Sequence, residues 1–116
     1  MSSAAFNPVE ATIEQTLEAL DTGRVTAVEL VEWNLERAAR IDRDGPQLNA
    51  IVVLNPHALD EARASDARRT AGHAGPLEGV PFSVRDSCMV KGLAVAAGSP
   101  AFQDLVAQWD AFSVEK

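Results

Sequence analysis

The chain has 116 residues, 47% of them hydrophobic and 23% charged, with a formal net charge of −7, a balance that suits a soluble globular protein of one domain at most and argues against disorder over its whole length. Nucleic-acid binding is disfavoured because no basic cluster exists beyond Arg68-Arg69, and no apolar run approaches the length of a membrane span. The single cysteine, Cys88, cannot form an internal disulfide, no Cys/His cluster has metal-ligand spacing, and residues 1–8 lack a signal-peptide pattern, so a cytoplasmic protein with no metal and no other cofactor is expected.

Residues 1–11 are polar and expected to fray. Thr12 is an N-cap, with Gln15 completing a capping box and Ile13, Leu17 and Leu20 forming one apolar face. Gly23 should end that helix. Thr26 repeats the signal with Glu29, and Val28, Val31, Leu35 and Ala38 continue at helical spacing, which predicts a helix from Ala27 to Ile41. Residues 42–47, DRDGPQ, are turn chemistry. Leu48 to Leu54 is almost wholly apolar and rich in Ile and Val, the pattern of a strand covered on both faces.

Asn55-Pro56 places a capping side chain before a proline, a helix start signal. The helix predicted from there to about Ala71 carries Ala58, Ala62 and Ser65 on one side and should lie close against a neighbour along that small face. His57 and His73 fall in its first turn and in the loop after it, both surface positions. From Gly79 to Asp86 a Gly-Val-Pro turn runs into Val80, Phe82 and Val84 alternating with Pro81, Ser83 and Arg85, which predicts a half-buried strand ending in Arg85-Asp86. Residues 87–99 should form an ordered loop, Ser99-Pro100 gives a second cap-proline signal, and Asp110 is placed to open a last helix. No linker divides the chain. Two buried strands alone leave backbone donors and acceptors unpaired, so the expected architecture is the opening part of a larger α/β domain.

The stretches TGRVTAVELVEWNLERAARIDRDGPQLNAIVVLNPHALDEARASDA and GPLEGVPFSVRDSCMVKGLAVAAGS resemble the N-terminal part of the amidase signature family, the Ser-cisSer-Lys amide hydrolases. The landmarks are Leu48-Asn49-Ala50, Gly75-Pro76-Leu77 with Gly79-Val80-Pro81, and Ala97-Gly98-Ser99 at the expected distances. The resemblance implies a large mixed sheet flanked by helices, of which residues 1–116 would be the N-terminal portion, and a small-molecule amide as substrate.

In that family the strand after the Gly-x-Pro turn ends in a lysine and an aspartate, the lysine acting as base through the cis-serine. Here the matching position is Arg85, followed by the expected Asp86. Guanidinium stays protonated at working pH and has no acceptor site, so Arg85 is not expected to work as a base. Lys91 matches a loop position and Ser99 a serine that is not the nucleophile. Ser87, Val95 and Ala96 stand where asparagine and threonines are frequent. The glycine-serine-rich stretch that holds both catalytic serines does not occur. Three readings follow: the opening part of an amidase that needs a complementary chain or downstream segment, a non-catalytic binding or regulatory module derived from the family, or a structural remnant.

Overall fold

Both capping boxes form. In a computed structural model that describes residues 5–115, Thr12 Oγ1 accepts the Gln15 N–H at 3.1 Å while Gln15 Oε1 accepts the Thr12 N–H at 2.9 Å. Thr26 and Glu29 make the same reciprocal pair at 3.1 and 2.8 Å. These contacts open α1 (Ile13–Asp21) and α2 (Ala27–Arg37). After α1 the chain turns at Gly23, whose φ of +72° is open to glycine without strain. The fraying expected of residues 1–4 lies outside the described residues. Among residues 5–11, Phe6 packs against the hydrophobic core.

Helix α2 does not continue to Ile41 as an α-helix. From Ala38 to Asp44 the backbone takes π geometry, and the Gly45 N–H closes the last turn on the Arg40 carbonyl at 2.9 Å. A side chain at Gly45 would meet that carbonyl oxygen at 2.7 Å, so the wide turn requires glycine there. Helix α3 (Ala58–Thr70) starts later than the Asn55-Pro56 signal indicates: its N-cap is His57, whose carbonyl accepts the Glu61 N–H at 2.9 Å, with no side-chain cap. A 3₁₀ turn, Pro100–Phe102, follows Ser99, again without a side-chain cap, and α4 spans Phe112–Glu115. Asp110, two residues before α4, accepts the Lys91 backbone N–H on its Oδ1 at 2.7 Å.

The chain divides into two compact units, Met1–Leu48 with Pro56–Pro81, and Asn49–Asn55 with Phe82–Lys116. In the first, α2 packs on α3 around Leu20, Ala27, Leu30 and Ala62, with Val25, Val28, Val31 and Val80 against them. The small face expected of α3 is where this happens: Ala62 and Ser65 are buried, and their size lets the helices approach. Leu30, 3% exposed, is the kind of side chain whose burial contributes about 1.5–3 kcal/mol. The contact is tied by Asp66, whose carboxylate accepts the N–H groups of Ala27 at 2.8 Å and Val28 at 3.1 Å. The α2 N-terminus is therefore capped twice, locally by Thr26 and from α3 by Asp66.

The second unit holds the β pairing of the described residues, and it is small. Ala94 and Val106 form an antiparallel bridge, flanked by Val95 N–H to Leu105 carbonyl at 2.9 Å and Ala107 N–H to Leu93 carbonyl at 3.0 Å. Val95 and Ala107 are buried beside it. The sheet of the expected α/β architecture is not formed among these residues. Leu48 to Leu54 is not a strand, Asn49 within it being left-handed with φ +51°, and it is not covered on both faces: Val52 is 62% exposed. Phe82, predicted on the buried face of a second strand, is 74% exposed. A ladder requires a neighbouring strand on at least one side, and neither segment pairs as a strand among the described residues, so what remains regular is the helical structure, whose hydrogen bonds are local.

Candidate functional site

The turn that leads to the candidate site is held from three helices of the first unit. Arg68 of α3 grips the Glu78 carboxylate at 2.6 Å through Nη2 and 3.2 Å through Nε. Arg69 donates to the Glu78 carbonyl at 2.5 Å and pairs with Asp21 at the end of α1. Next in the chain, Gly79 has φ +87°, and a Cβ there would lie 3.2 Å from Leu20 Cδ1, 3.4 Å from Ala27 Cβ and 3.4 Å from Ser65 Oγ. Only glycine meets both demands. Val80 then inserts against the core.

These contacts set the charge state of Glu78. Its carboxyl is held down to about 2, first by the Arg68 hydrogen bonds, then by the facing Ser65 hydroxyl and the Gly75 backbone, with burial acting in the opposite direction. The Ser65 hydroxyl is buried and lies outside hydrogen-bond geometry, so its effect is that of a nearby dipole. The same pairing pushes Arg68 further up. Gly75-Pro76-Leu77 and Gly79-Val80-Pro81 thus belong to one clamped segment. In the sequence Arg68-Arg69 stands out only as a basic pair, because a partner ten residues later matches no helical or strand period.

In the second unit, Arg85 is exposed and Asp86 half-buried. Among the described residues the Arg85 guanidinium makes no hydrogen bond and no ion pair. Its carbonyl accepts the Cys88 N–H at 2.8 Å, so the chain turns immediately after the charged pair. Cys88 is half-buried and Ser87 exposed. The loop beyond is tied down by Gly92 N–H to the Ala107 carbonyl at 2.9 Å and Ala111 N–H to the Met89 carbonyl at 2.8 Å, besides the Asp110 contact to the Lys91 backbone. The Lys91 side chain is exposed. Ala97 and Gly98 are both left-handed, with φ of +49° and +77°, and the Ser99 N–H closes on the Ala96 carbonyl at 2.9 Å, the pattern of a type I′ turn. Ser99 is half-buried behind it.

Chemically, Arg85 offers a fixed positive charge and forked donors, suited to a carboxylate or another anion, and no acceptor for a proton. No group of three or more His, Cys, Asp or Glu among the described residues could hold a metal, and both histidines are exposed. Two open clefts, about 580 and 220 Å³, lie around Phe6 and Arg24 of the first unit, and Arg85 lines neither. Among the described residues no helix is long and apolar enough to cross a membrane.

A family model described as Amidase matches residues 29–116. A glutamyl-tRNA(Gln) amidotransferase subunit from Azoarcus sp. (strain BH72) is 38% identical over 109 residues, covering 93% of this chain and 22% of its own length. A crystal structure of a peptide amidase in complex with the competitive inhibitor chymostatin superposes with a TM-score of 0.90 at 34% identity, over 95% of this chain and 23% of that one. An amidase family protein from Bacillus anthracis str. Ames gives 0.86 at 30% identity, over 92% and 21%. The chain therefore spans about a fifth of the length of the relatives it matches.

Proposed function

Because this chain belongs to the amidase family, we propose that its 116 residues form the opening part of an amide C–N hydrolase and do not hydrolyse amides by themselves. The reading rests on Arg85, which the resemblance matches to the family's base lysine and whose guanidinium has no acceptor site for a proton. A general base must lose a proton to act, and an activated serine needs base, relay and nucleophile within hydrogen-bond reach. Both serines would come from a complementary chain or a downstream segment, as would the contacts that select a small-molecule amide. The reading involves no cofactor and places the protein in the cytoplasm.

The test is Arg85→Lys. Alone, neither form should release ammonia from simple aliphatic or aromatic amides. Joined to the remaining part of an amidase fold that supplies the serines, the lysine form should turn over, and the arginine form should be slower by about a hundredfold or more, the scale of losing a positioned general base. Equal rates in the joined proteins would show that the base lies elsewhere. Activity of the unmodified chain alone, with host amidase excluded, would overturn the proposal.

A second reading rests on the Arg85 guanidinium, exposed and unpaired among the described residues: a non-catalytic module that recognises a carboxylate. Saturable binding of a small carboxylate, lost in Arg85→Gln, would favour it over the first.

A further inference from the structure

We draw no further inference here: the strongest candidate, the exposed apolar run Val52–Leu54 with Phe82, Trp109 and Phe112 in the second unit, carries nothing, because nothing in the structure shows what covers it.

Discussion

Arg68 holds the Glu78 carboxylate at 2.6 Å, and a carboxyl kept ionised in the folded chain but free in the unfolded one makes stability depend on pH. Glu78 sits at about 2 when folded, below its ordinary 4.5. Its contribution is complete above the unfolded value and is lost as pH falls from there towards 2. Urea midpoints recorded between about pH 6 and pH 2.5 should fall in that window, and Glu78→Gln should flatten part of the fall. An unchanged acid limb in the glutamine variant would remove Glu78 as its source.

Asp66 supports α2 across 39 residues of sequence. Its replacement by alanine leaves two N–H groups at the head of α2 without their carboxylate, and a loss of about 1–2 kcal/mol is expected on the scale of a strong N-cap. Asp66→Asn keeps an oxygen acceptor but loses the charge, so it should cost less. Chemical denaturation of both variants measures this, and equal stability of the alanine variant and the parent would show the cap to be inert.

Gly79→Ala combines a left-handed backbone with a Cβ 3.2 Å from Leu20 Cδ1. The backbone alone costs roughly 1–2 kcal/mol, and Leu20 must shift besides. The variant should therefore melt at lower temperature with a loosened Leu20 methyl environment, which methyl NMR would report. Gly23→Ala has the same sign of φ and open space around it, so it should be the milder substitution.

The left-handed residue Ala97 gives a prediction of opposite sign. Of the roughly 1–2 kcal/mol that such an alanine costs, asparagine should recover about half, since Asn-Gly is the preferred pair of a type I′ turn. Ala97→Asn should raise the melting temperature. A lower one would mean that the turn is not at strain.

Features written in short-range chemistry are legible in the amino-acid sequence. Thr12 with Gln15 and Thr26 with Glu29 are contacts three residues apart, Gly23 sits where a helix must stop, and Ala62 and Ser65 mark a face by spacing alone. The apolar run Leu48–Leu54 shows why the sheet is not legible in the same way: its composition states that the side chains favour burial, but not that a pairing strand lies within the same residues. Asn55-Pro56 points to an early start for α3, whereas the first helical carbonyl is that of His57. Asp110 carries a capping side chain yet is taken by the Lys91 backbone, nineteen residues away. For the candidate site, Arg85 is found through the order of several motifs, whereas the Arg68 and Arg69 contacts to the turn before it, and the Asp21–Arg69 pair behind them, involve separations that no local pattern encodes.

The long reach of Asp66 also has a meaning in time. A ribosome adding about 5–20 residues per second releases the head of α2 roughly 2–8 s before the carboxylate that caps it, given their 39-residue separation. Through that interval the nascent helix depends on Thr26 and Glu29 alone. Weakening this local box should therefore harm the yield of chains folded during synthesis more than it harms the refolding of finished ones, in which both caps are present from the start.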